Sequence, residues 1–260
     1  ETLNAMQDAV KDYYGVFRSY LKRKAELLGH KNGLPFYDLY APIGSVNKRF
    51  TIEEANAYVL KNFKTFSDKL HNMAKRAFEE DWIDYTPRKG KRGGAFCSNI
   101  HSIKESRIMT NFTGAFTDMI TLSHELGHAY HGEVIFEESP LNSSYTMPVA
   151  ETASTFCETI VNKAALKDAT TKEEKLFLLE SSIQGYTAVV IDIMSRFIFE
   201  KAVFEGREKT VFDVEELNEL MINAQKETYG EGLDSEALHP YMWVNKPHYY
   251  SGGLSYYNFP

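Results

Sequence analysis

The chain has 260 residues, 36 acidic and 29 basic side chains, a formal net charge of −7, and 43% hydrophobic and 25% charged residues. This composition suits an ordinary globular fold that buries most of its apolar surface without staples, and the acidic balance excludes wrapping nucleic acid through phosphate neutralisation. The two cysteines, Cys97 and Cys157, form neither a disulfide framework nor a zinc ribbon, which suggests a reducing, cytoplasmic setting.

Leu3, Met6, Val10, Tyr14, Phe17, Leu21 and Leu28 recur at helical spacing and predict a long first helix ending near Gly29. Residues 29–50, with Gly29, Gly33, Pro35, Pro42 and Gly44, read as a loop. Thr51 and Glu54 then form a capping box that starts one helix running to about Glu80. Residues 82–94 read as irregular. Gly93–Ser98 and Arg107–Phe112 are the persuasive strands, expected to pair antiparallel. Helices are expected at about 114–136, 149–166, 171–204 and 214–229, the last begun by the Asp213/Glu216 box. The most apolar stretch, Tyr186 to Phe204, carries Asp192, Arg196 and Glu200 at i, i+4, i+8. An ion-paired seam on a buried helix is expected there, and no membrane span. The tail HPYMWVNKPHYYSGGLSYYNFP is dense in aromatics, of which Trp243 and Tyr241 read as core packing.

The segment TLSHELGHAYHG contains His124, Glu125 and His128 as H-E-x-x-H. On a helix, positions i and i+4 share a face, so the two imidazoles can reach one Zn²⁺, with Glu125 beside them to take a proton from water. A chance occurrence is expected only about 0.02 times in a chain of this composition. His131 lies a turn beyond and is expected behind the ligands or in solvent. A metzincin third ligand fails because positions 131 and 134 are His131 and Val134. The remaining donor is a carboxylate of the next helix: Glu151 near its start, with Glu158 two turns on as a competitor assigned to supporting an imidazole. Glu133, Glu137 and Glu138 read as a solvated charge cluster.

These residues resemble the thimet-oligopeptidase-like M3 zinc metallopeptidases, most closely the oligoendopeptidase F branch. The resemblance runs from about Arg92 to Pro260 and rests on GGAFC, TLSHELGHAYH, VAETASTFCE and PHYYSGGLSYYNFP, in the family's order. It implies a mainly α, zincin-type helical domain with a small antiparallel sheet beside the active-site helix. It also implies His124, His128 and Glu151 as ligands of one Zn²⁺ per chain and Glu125 as general base. His248 would steady the oxyanion or hold the substrate backbone, and Tyr256 or Tyr257 would serve the tetrahedral intermediate. Family members are about twice this length, so the chain is read as a fragment, with 1–90 as a helical part and 91–260 as the catalytic core.

The expected activity is endopeptidase hydrolysis of short peptides, with Gly94, Ala95 and Phe96 as an edge that binds substrate backbone. No nucleic acid or membrane partner is expected. The competing readings are a related gluzincin carboxypeptidase and a non-catalytic helical binding module with a residual metal site. An intact Glu125 speaks against the latter.

Overall fold

The computed structural model describes residues 1–44, 49–246 and 248–251, and its chain contacts gather into two units, Glu1–Ser45 with Leu179–Pro260, and Val46–Leu178. The expected boundary near residue 90 coincides with neither unit's edge.

In the first unit the apolar stripe folds as α1 (Thr2–Leu28), ended by a left-handed Gly29 whose N–H reaches Ala25 and Glu26 carbonyls. Tyr14, Phe17, Leu21 and Ala25 are buried, whereas Leu3 and Met6 at the start of the same stripe are exposed. Lys24 is 1% exposed, and burial of a charge at that depth requires pairing. Its Nζ donates to Glu180 Oε1 at 2.8 Å and to Gln184 Oε1 at 2.7 Å.

The expected helix 171–204 is α7 (Lys172–Thr187), a π-helical turn (Ala188–Asp192) and α8 (Ile193–Arg207). Of the expected seam, Asp192 pairs with Arg196 and accepts from the Tyr229 hydroxyl at 3.0 Å. The run Lys172–Arg207 is long and apolar enough to cross a membrane by length and composition, a test that soluble core helices also pass. Glu180, Asp192 and Glu200 on it are buried.

The Asp213/Glu216 box opens α9 (Val214–Tyr229) as expected. Trp243 donates to Asn218 Oδ1 at 2.9 Å and packs against Met221 and Met242, but Tyr241 is exposed, so core packing describes only one of the two.

In the second unit, the Thr51/Glu54 box starts α2 (Ile52–Phe66), and Ser67 ends it. Ser67 is extended at φ −154° and caps α3 (Asp68–Glu79) through Leu70 N–H at 3.4 Å, so the single helix expected over 51–80 is two. Three strands, β1 (Ile83–Asp84), β2 (Phe96–Ile100) and β3 (Glu105–Met109), form a sheet in the order β1-β3-β2. The expected antiparallel pair is β2 with β3, in register from Phe96↔Met109 to Ile100↔Glu105. The sheet is mixed, because β1, in the stretch read as irregular, pairs parallel to β3.

Next come α4 (Phe116–Ile135), α5 (Met147–Ala150) and α6 (Thr152–Asp168). Phe63, Met73, Trp82, Ile108, Met119, Leu122, Leu126 and Val161 join the helices and the sheet in one apolar cluster around α4. The four-residue α10 (His248–Ser251) closes the described chain. Among the described residues the fold is mainly α with one small sheet, as expected.

Candidate metal centre

The centre is assembled on α4, whose start is tied down by Asp118. Its Oδ2 accepts from Thr113 N at 2.7 Å, Thr113 Oγ1 at 2.8 Å and Ala115 N at 3.1 Å, satisfying donors that a helix start leaves open. Two turns on, His124 and His128 project from one face, Nε2 to Nε2 at 3.1 Å.

Glu151 meets them from the junction between α5 and α6. It lies at φ −85°, ψ 0°, a break before α6 where the sequence predicted a continuous helix from about 149. Its Oε2 is 3.2 Å from His124 Nε2 and 3.4 Å from His128 Nε2. The Ser154 hydroxyl donates to the same oxygen at 2.7 Å, a contact that sequence reasoning missed although Ser154 follows Glu151 by three residues.

Helix α4 reaches α6 closely enough for this because residue 127 is glycine. A Cβ there would lie 2.6 Å from both Ala153 O and Ser154 Cα. The same approach places Glu158 Oε1 at 2.5 Å from His124 Nδ1, on the far side of that ring from Glu151.

The donor set fits a metal. The ligand atoms of His124, His128 and Glu151 all lie within 4.8 Å of one another. Imidazole nitrogen and carboxylate oxygen are zinc's usual donors, and a tetrahedron with bonds of about 2.0–2.1 Å has edges of about 3.3–3.4 Å. The three observed separations are 3.1, 3.2 and 3.4 Å. Glu125 is 5% exposed, and its Oε2 is buried without a hydrogen-bond partner. A carboxylate oxygen left open beside such a cluster has room to accept a proton.

Electrostatics follow the same packing. Burial disfavours charge on His124, but hydrogen bonds that its ring donates to the Glu151 and Glu158 carboxylates outweigh it and lift the imidazole pKa to about 10. Hydrogen bonds to His124 and His128 hold the Glu151 carboxyl well below the usual carboxylate range. Burial raises Glu125 above it, with the two imidazoles opposing. The Cys97 thiol is pushed up to about 12, first by burial and then by the Glu125 charge, and burial does the same to Cys157.

A cleft of about 490 Å³ opens along this side of α4. Gly94, Ala95, Thr121, His124, Glu125 and Glu158 line it; Phe96 does not, and is exposed at the start of β2. His131 lies outside the donor group and stacks on Tyr145. Glu133 and Glu137 pair with Arg76 at 3.9 Å and Lys104 at 3.1 Å. The His248 backbone opens α10, but its side chain, with Tyr256 and Tyr257, lies outside the described residues.

The model of peptidase family M3 matches residues 1–259. The group B oligopeptidase PepB of Streptococcus agalactiae is 28% identical over 265 residues, covering 100% of this chain and 43% of that protein. The chromosomal oligoendopeptidase F of Lactococcus lactis subsp. cremoris is 26% identical over 245 residues, covering 94% of this chain and 40% of that one. The chain thus spans less than half the length of these relatives. Among solved structures, oligoendopeptidase F from Enterococcus faecium superposes with a TM-score of 0.62 at 20% identity, covering 96% of this chain and 37% of that one. PZ peptidase A with an inhibitor gives a TM-score of 0.72 at 19% identity, covering 97% of this chain and 45% of that one. These two likenesses concern the fold. With the family model matched along nearly the whole chain, and relatives of one kind recurring across it, this chain belongs to peptidase family M3, a metallopeptidase family, in its oligoendopeptidase F branch.

Proposed function

We propose that this chain is the zinc-binding part of an endopeptidase that hydrolyses internal bonds of short peptides. What carries the reading is the convergence of His124, His128 and Glu151 at 3.1–3.4 Å beside a buried, unpartnered Glu125 oxygen. Zinc, when bound, supplies Lewis acidity to the scissile carbonyl and to the attacking water. Glu125 takes the water's proton at Oε2 and returns it to the departing amine. Glu158 accepts from His124 Nδ1–H, which fixes the ring and turns the Nε2 lone pair inward. His248 and one of Tyr256 or Tyr257 donate to the developing oxyanion, as the resemblance implies. A non-catalytic binding module would have no use for a buried, open carboxylate at Glu125.

The metal is tested directly. About one zinc per chain is expected by elemental analysis after reconstitution at neutral pH, lost in His124→Ala and His128→Ala, and kept at full stoichiometry in His131→Ala under excess zinc. Absence of any bound transition metal would overturn the reading.

Substrate backbone is expected along β2, whose position at the end of the strand order leaves one edge unpaired among the described strands, next to the cleft-lining Gly94 and Ala95. A peptide complex with no contact to residues 94–97 would refute that placement.

A further inference from the structure

After α4 ends at Ile135, the chain must bring Glu151 back to two imidazoles it left a helix earlier. The path contains a single 3-10 turn at Pro140–Asn142 and the four-residue α5, and otherwise has no regular structure to hold it. Ordering such a segment costs conformational entropy, so an accurately placed Glu151 needs contacts upstream as well as the Ser154 bond that follows it.

Tyr145 makes them. Its ring stacks on His131, with centroids 4.3 Å apart and 33° between planes. That anchor is itself fixed. His131 is carried on α4, one turn past His128. Asn99, on β2, accepts from Ser106 Oγ at 2.8 Å and donates to the His128 carbonyl at 3.4 Å. Asn99 reaches α4 because residue 132 lacks a side chain: a Cβ there would lie 2.4 Å from the Asn99 Oδ1.

We propose that Tyr145, stacked on His131, is a positioning residue that clasps the return segment and delivers Glu151 preordered to His124 and His128. The proposal rests on the metal-site reading above and adds to it a role for His131 that is neither ligation nor solvation. Groups that orient metal ligands from behind typically change affinity by about 10–100-fold when removed. A loss of that size is expected here, carried by the aromatic stack.

The experiment measures zinc dissociation constants on the whole chain by competition with a chromogenic chelator, with the Co²⁺ absorption spectrum as a probe of ligand geometry and thermal melting of the metal-free chain as a control. Tyr145→Ala and His131→Ala are each expected to weaken zinc about 10–100-fold and alter the Co²⁺ spectrum. Tyr145→Phe and His131→Phe, which keep two stacked rings, are expected to stay within about threefold of wild type. The Tyr145→Ala/His131→Ala pair should be no weaker than either single variant, since both remove one contact.

The clasp is overturned by zinc affinity within twofold of wild type in Tyr145→Ala, by equal losses in Tyr145→Phe and Tyr145→Ala, or by additive losses in the double variant. It is also overturned by a lowered melting temperature with zinc affinity unchanged. A wild-type chain that binds no zinc would overturn the metal-site reading itself; zinc bound equally by wild type and all variants would overturn the clasp alone.

Discussion

Glu125→Gln is expected to leave zinc content unchanged and to lower kcat on an internally quenched peptide by about 10²–10⁴-fold. The amide has the volume and shape of the carboxylate, so a side chain that is 5% exposed can be replaced without a cavity. What it loses is basicity at the position of Oε2, the oxygen without a hydrogen-bond partner. KM should move little, because the proton is transferred only on the way to the transition state. In the same assay His248→Ala should lower kcat by about 10²–10³-fold with zinc retained, the size expected for one oxyanion donor. Wild-type turnover in Glu125→Gln would remove that residue from the mechanism, whereas loss of zinc would mean that the carboxylate serves as a ligand.

The second large effect is expected at Gly127. On an isolated helix, glycine to alanine stabilises by about 1 kcal/mol. Here the added Cβ would stand 2.6 Å from Ala153 O and 2.6 Å from Ser154 Cα, and both are backbone atoms that cannot rotate away. Helices α4 and α6 must then separate, at a cost of about 1–3 kcal/mol, which corresponds to a melting temperature lower by roughly 2–12 °C. The same displacement draws Glu151 and Glu158 away from the imidazoles, so zinc affinity should fall more than about tenfold. Gly185→Ala is the matched control. Its Cβ would meet nothing within 4 Å on α7, and neutral or slightly raised stability is expected. Equal behaviour of the two variants in melting and zinc titration would show that the close helix contact does not control the centre.

Much of the helical framework was legible because its signals are local. The Thr51/Glu54 and Asp213/Glu216 boxes lie within one turn and start α2 and α9 where the sequence places them. The stripe ending at Gly29 closes α1 for the same reason. The H-E-x-x-H spacing is likewise a property of one helix, so the face shared by His124 and His128 could be read from a 100° step. Ser67 was a local signal overlooked: serine followed by a helical run is a start, and it divides α2 from α3. The two-residue β1 had no period to detect, and only its pairing with β3 makes it a strand. The π turn between α7 and α8 interrupts a stretch whose composition is helical throughout.

For the centre, residue types and spacing alone determined that this chain could present two imidazoles and a carboxylate base together, and left Glu151 and Glu158 as rival partners. Tertiary structure gave those two carboxylates different neighbours, Glu151 at both Nε2 atoms and Glu158 at His124 Nδ1. It also brought in Ser154, Asn99 and Tyr145, for whose grouping the sequence carries no periodic signal. The physical reason is range. Caps, helix faces and turn residues act over about one turn of chain, whereas the placement of Glu151 depends on how closely α4 can approach α6. That distance is set by the missing side chain at Gly127 against a backbone 26 residues away at Ala153.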